Sequence, residues 1–287
     1  MDFGIFYEIQ VNSPLKHRER EYQAFHDVMK QVVRAEEVGF THFWTVEHHF
    51  QVGFAHSSAP EVLYGAISQR TSNIRIGHAV VLLPFPYNHP VRVAERIATL
   101  DILSNGRVEV GTGRSATQIE LGGFGIPYKE TRARWEEALD ILTTIWKSRD
   151  GTFSYKGKYF DISYVNTTLR VNAAVIEAKK TGIDPREDAR ALVPDLPTQY
   201  EGLDPSTVTI DSLIERGMCI CGSPDTVVKQ LERLQKAAQL DHFMAMMQFW
   251  SIPHDKTMYA IELFGKYVIP HFRQSVTPGE SATAANV

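Results

Sequence analysis

Apolar positions along this chain follow two alternating rhythms. Short apolar runs are separated by longer stretches whose apolar residues recur three and four apart. Residues 3–7 form the first short run. From 19 to 38, Tyr22, Phe25, Met29, Val32 and Val33 mark a helix, and Gly39 caps it. Phe43, Trp44 and Val46 then predict a second strand. Residues 60–71 predict a helix carrying Val62, Leu63, Ala66 and Ile67. Residues 74–83 are nearly continuous apolar sequence, as expected of a strand covered on both faces, and Pro84 stops them. Pro90 opens a helix with Val93, Ala94, Ile97 and Leu100 on its inner face. Residues 107–112 predict a strand, and 111–125 are glycine-rich and expected to lie over a binding face. Trp135, Leu139, Leu142, Ile145 and Trp146 mark a further helix, and 152–160 a hairpin.

Past the hairpin the pattern weakens. Residues 171–180 suit a helix, 184–204 are Pro-rich and polar, and no strand is evident between 165 and 217. The rhythm returns with a strand at 218–221. A helix capped by Ser223 and Pro224 follows, with Val227, Val228, Leu231, Leu234 and Ala238 as its buried face. The last strand is expected at 241–249. A final helix at 254–272 carries Met258, Ile261, Phe264 and Val268, and the residues from 276 form a flexible tail.

Strands alternating with helices imply parallel pairing through right-handed crossovers. A barrel and an open doubly wound sheet both satisfy that rhythm. In a barrel, functional groups gather where strands end. Those ends carry Glu47-His48-His49, Leu83-Pro84, Arg114-Ser115 and Phe249-Trp250. Side chains alternate along a strand, so Glu47 and His49 face one way and His48 the other.

Composition narrows the functional classes. The chain has 287 residues, 43% of them hydrophobic, enough for one large core. Thirty basic and 34 acidic residues give a formal net charge of -4. With no basic run, nucleic acid is not expected as a partner. No apolar stretch approaches the roughly 20 residues of a membrane span, and no signal segment is expected from the opening residues Met-Asp-Phe-Gly. Cys219 and Cys221 are too close for an ordinary structural disulfide and match no C-x-x-C pair. They read as reduced strand residues in a cytoplasmic protein.

Individual motifs each have a plainer explanation. Residues 111–116, Gly-Thr-Gly-Arg-Ser-Ala, fit the G-x-G-x-x-A dinucleotide fingerprint, but further glycines follow where a helix should open. The glycines still permit close backbone approach to a ligand, and Arg114 offers a fork to a phosphate or is a solvated surface arginine. Phe85, Tyr87, Phe249 and Trp250 are packing residues or the wall of an apolar pocket. His254 reads as a helix cap, and His78 as a core histidine or one pointing into a barrel. Glu47, His48, His49 and His78 are metal-ligand types, yet adjacent strand histidines diverge and no H-E-x-x-H is present, so no metal is expected. A G-x-S-x-G elbow is also missing.

Taken jointly, several segments resemble the bacterial luciferase-like, flavin-dependent monooxygenases. They are residues 1–6, 39–50 (Gly-Phe-Thr-His-Phe-Trp-Thr-Val-Glu-His-His-Phe), 74–77 with Leu83-Pro84, and 89–95. Residues 103–107 leading to 111–114, then 222–224, and 248–249 with Pro253-His254, also fit. The resemblance implies a TIM-type (β/α) barrel over residues 1–275 that binds reduced FMN at the C-terminal ends of its strands. It implies His48 as the active-site base, with Glu47 or a backbone group setting its tautomer. Val81, Leu82 and Leu83 would lie against the flavin ring, and Arg114, with Gly113 and Ser115, would meet its phosphate. It further implies a separate flavin reductase, O2, a small aldehyde-like or other carbon substrate, and a homo- or heterodimer. Between 161 and 211 the family's further strands and a Ser-Pro-x-Ser-like phosphate loop are not recognisable, so the barrel is expected to be incomplete or modified there. That departure keeps two alternatives in play: a non-catalytic flavin-binding relative or partner subunit, and a deazaflavin-dependent oxidoreductase.

Overall fold

The computed structural model describes residues 1–12, 16–52, 54–115, 117–148, 152–166, 208–250 and 252–274. The helix suggested at 171–180, the polar stretch at 184–204 and the C-terminal tail lie outside them.

Five strands form one parallel sheet: β1 (Asp2–Tyr7), β2 (His42–Thr45), β3 (Arg75–Leu82), β4 (Val108–Gly113) and, after a small hairpin, β7 (His242–Ala245). Their order is β4-β3-β2-β1-β7. Successive strands β1 to β4 are neighbours in the sheet, and β7 pairs with β1 on its other side. The crossovers are α1 (Glu19–Glu37), α2 (Pro60–Ser68) and α3 (Pro90–Leu103). After β4 come α4 (Gln118–Gly123) and α5 (Thr131–Lys147). The hairpin β5 (Thr152–Lys156) and β6 (Asp161–Asn166) pairs only with itself and packs beside α5. Then come α6 (Ile210–Glu215), α7 (Pro224–Ala238), α8 (His254–Leu263), a π-helical turn at Phe264–Val268, and α9 (Ile269–Gln274).

The sheet's two faces differ because strand residues alternate. Phe3, Ile5, Tyr7, Phe43, Ile76 and Val108 point to the helices and are buried with Val32, Leu63, Ile97, Ile141, Ile261 and Phe264. The opposite face, which a barrel turns inward, carries Gly4, Trp44, Gly77 and Met244. A Cβ on Gly77 would come within 2.0 Å of the Trp44 ring, and one on Gly4 within 2.9 Å of its Nε1. The indole therefore lies flat over both neighbouring strands. His42 stacks beside it, and Arg75 pairs with Glu109 on the same face. The chain has the strand order of a TIM-type barrel, open among the described residues between β4 and β7.

Two expectations are corrected. Residues 218–221 form no strand. Gly217, with φ +70°, turns the chain after α6, and the amides of Met218 and Cys219 return to the Leu213 carbonyl. Both backbone groups of Cys221 are held by the Gln230 side chain instead of a neighbouring strand. The last strand ends at Ala245, not 249. On α7 the Ser223 cap forms as expected, accepting from the Thr226 amide, but Leu231 alone of its apolar face is fully buried. No helix among the described residues is long and apolar enough to cross a membrane.

Candidate active site

Backbone strain marks the rim where the parallel strands end. Ile9, Phe50, Ser115 and Trp250 follow β1, β2, β4 and β7, with φ of 54°, 61°, 59° and 52°. Non-glycine residues rarely adopt this left-handed conformation, least of all β-branched or bulky ones. Each costs about 1–2 kcal/mol, and such costs gather at functional sites. The third strand leaves through cis peptides at Ala79–Val80 and Phe85–Pro86.

His48 stands on the inner face of this rim, half-buried. Its backbone amide is fixed to the Ser57 carbonyl. Its Nδ1 lies 2.8 Å from Glu120 Oε1; Gln51 Nε2, 3.1 Å from the same nitrogen, is itself a donor and makes no hydrogen bond to a protonated Nδ1. Glu120 is fully buried in α4. It also accepts from the His49 amide at 2.9 Å, from Ser115 Oγ at 2.7 Å and from Thr117 Oγ1. Burial alone would raise the Glu120 pKa, but these donors outweigh it and hold the acid at about 2. An ionised carboxylate can only accept, so we assign a proton to His48 Nδ1. The free valence of the ring is then Nε2, which points toward Glu8 Oε2 at 3.7 Å. Burial disfavours the charged ring, yet Glu120, Glu8 and Glu47 together raise its pKa above the ordinary value.

Glu47 does different work. It faces the helices, where Oε2 accepts from the Leu82 amide at 2.7 Å and Oε1 from Asn88 Nδ2 at 2.8 Å. His49 Nε2 is 3.2 Å from Oε1, so the predicted pairing of faces holds. Glu47 thus ties the ends of β2 and β3 together. The residue that sets the His48 tautomer is Glu120, which the sequence reading missed.

The residues expected around a flavin fall at the same rim in different environments. Val81, Leu82 and Leu83 are 5%, 3% and 0% exposed, with their side chains in the core. The accessible part of that strand end is half-buried Ala79 and Val80, two residues earlier. Gly113 packs on Val80, where a Cβ would approach Cγ2 to 2.3 Å. Ser115 serves Glu120. Arg114 is half-buried on the helix side, and its hydrogen bond among the described residues is to Thr131 Oγ1, at 3.4 Å, where α5 begins. A guanidinium at this place can offer a bidentate fork to a phosphate. Next to the site, His49, Phe50, Tyr87 and Phe124 form an aromatic wall, with ring centroids 4.7–6.1 Å apart. His78 is a core histidine. It is 4% exposed, edge-on to Tyr64, with Nδ1 3.3 Å from the Glu109 carbonyl and its pKa lowered to about 4 by burial. No cluster of metal-ligand side chains occurs among the described residues.

Residues 1–179 match the family model described as luciferase-like monooxygenase. The chain belongs to that family. It is 24% identical over 326 residues to limonene 1,2-monooxygenase of Rhodococcus erythropolis, covering 89% of this chain and 83% of that protein. It is 35% identical over 141 residues to an F420-dependent glucose-6-phosphate dehydrogenase of Amycolatopsis mediterranei, covering 47% and 41%. The chain thus spans less than half the length of that dehydrogenase, and the same is true of other curated relatives it matches. Among solved structures it is similar to the oxygenating constituent of 3,6-diketocamphane monooxygenase of Pseudomonas putida, in complex with FMN. The TM-score is 0.72 and the identity 21%, covering 94% of this chain and 98% of the other.

Proposed function

We propose that this chain is an FMN-dependent monooxygenase that receives reduced flavin from a separate reductase and uses O2 to oxidise a small aldehyde-like or other carbon substrate. The observation that carries this reading is the His48 ring. Its Nδ1 is locked on ionised Glu120, and its Nε2 is left open on the inner face of the rim. The residues present fit a flavin mononucleotide. Arg114, at the start of α5, offers a cation to the phosphate. Ala79 and Val80 give the flat ring an accessible apolar strand end. Bound reduced FMN would supply the electrons that activate O2. His48 takes or gives the proton at Nε2, Glu120 holds the ring in its tautomer, and the aromatic wall keeps water from one side. That the FMN-bound relative is an oxygenating constituent supports a separate reductase.

The test is O2 uptake and product formation with a flavin reductase, NAD(P)H and FMN. His48→Gln should lower turnover by about 10²–10⁴-fold while reduced FMN still binds. Unchanged turnover would remove His48 from this role. The F420-dependent relatives support a second reading, hydride transfer to or from a deazaflavin without O2. Anaerobic reduction of F420 by the chain would favour it over the first. Tight FMN binding with no turnover beside a reductase would favour a non-catalytic carrier or partner subunit.

A further inference from the structure

We propose that Glu8 is the proton partner of His48, the two groups sharing one proton between Oε2 and Nε2. Its role in turnover rests on the function proposed above; the shared proton itself does not. Glu8 directly follows β1 and has the inner-face parity of Gly4 and Phe6. Its side chain is 12% exposed, and Oε2 is buried with no hydrogen-bond partner among the described residues. A carboxylate oxygen away from water with no donor is costly unless it holds a proton or faces a cation. The group it faces is His48 Nε2, at 3.7 Å. That distance is too long for a finished hydrogen bond, but such contacts are often long before substrate binds.

Glu120 leaves Nε2 as the one ring nitrogen able to exchange a proton. The charged groups acting on His48 are Glu120 from α4, Glu8 from the end of β1 and, from the opposite face of its own strand, Glu47. Those facing Glu8 are His48 and Glu120. Burial pushes the Glu8 carboxyl up, His48 pulls it down, and Glu120 pushes it up again. The pair therefore has two states. In one, an imidazolium faces a carboxylate. In the other, the N–H bond has broken, an O–H bond has formed on Oε2, and a neutral ring faces a neutral acid. Net charge is the same in both, so a proton taken up at Nε2 can move on to Glu8 without changing the charge of the enclosed pair. Glu8 acts through His48 and is a positioning residue.

The experiment is an NMR pH titration of His48 in the full chain, labelled with ¹⁵N-histidine and free of flavin. In Glu8→Gln the midpoint should fall by about one unit, and Glu8→Asp, which keeps the charge, should recover most of the loss. An unchanged midpoint in Glu8→Gln overturns the proposal. Should Glu8→Gln not fold, the Glu8 carboxyl is titrated by ¹³C in wild type and in His48→Gln. A rise in the variant supports the coupling, and no change overturns it. Neither readout uses flavin. A chain that shows the coupling but binds no reduced FMN contradicts the proposed function and leaves the proton pair standing.

Discussion

Glu120 has no contact with water, yet its two oxygens take four donors, from His48, His49, Ser115 and Thr117. Glu120→Ala leaves those donors without their acceptor, and its expected cost is about 3 kcal/mol in urea unfolding at neutral pH. A loss under about 0.5 kcal/mol would place it among ordinary surface changes. His78 provides a separate check. Its folded pKa of about 4 lies below the ordinary 6.5, so the unfolded chain binds this proton more readily. Stability from this site is complete above 6.5 and declines as pH falls toward 4, by about 3 kcal/mol in all. In His78→Gln the decline between these values should be shallower in urea melts; an identical slope would contradict the assignment. At this scale the sequence was half legible. Alternation along one strand separated Glu47 and His49 from His48. Glu120 was not readable, because it lies 72 residues from His48 in a glycine-rich stretch that reads as loop. Its one local signal is Thr117, three residues before it at the start of α4.

Among the elements, the strands and helices up to α5 were legible because each crossover repeats one apolar pattern with clear stop residues. Residues 218–221 misled because a short apolar run next to Gly217 looks like a strand. What decides them is the turn after α6 and Gln230, both set by tertiary contacts. The α7 C-terminus tests the cost of left-handed backbone away from the site. Exposed Gln239 sits there at φ 50° and ψ 45°. Gln239→Gly should raise stability by about 1 kcal/mol with turnover unchanged; a fall in melting temperature would argue against that conformation. At the opposite end of the sheet from the site, buried Arg107 donates to the carbonyls of Ser68, Thr71, Ser104 and Ile74 and to Thr71 Oγ1. Lysine cannot reproduce that fork, so Arg107→Lys should cost about 2 kcal/mol in chemical unfolding. A neutral result would mean the loops do not depend on it.

For the whole molecule, the sheet brings the ends of β2, β3 and β4 to one edge, so His48, Arg114 and the aromatic wall share a rim. We propose that any pairing of two chains uses α2 and α3, which leave Val62, Ile102 and Leu103 71%, 56% and 49% exposed. Val62→Asp should turn a dimer into a monomer in size-exclusion with light scattering, and a wild-type monomer would remove that expectation. The central claim is that a flavin sits on this rim with its phosphate at Arg114. Its most direct test compares equilibrium binding of reduced FMN and reduced riboflavin, which differ only in the phosphate. Wild type should hold FMN at least about tenfold more tightly, a difference near 1.4 kcal/mol, and Arg114→Ala should erase that preference while leaving riboflavin affinity unchanged. Equal affinities in wild type, or a preference that survives Arg114→Ala, would contradict the account.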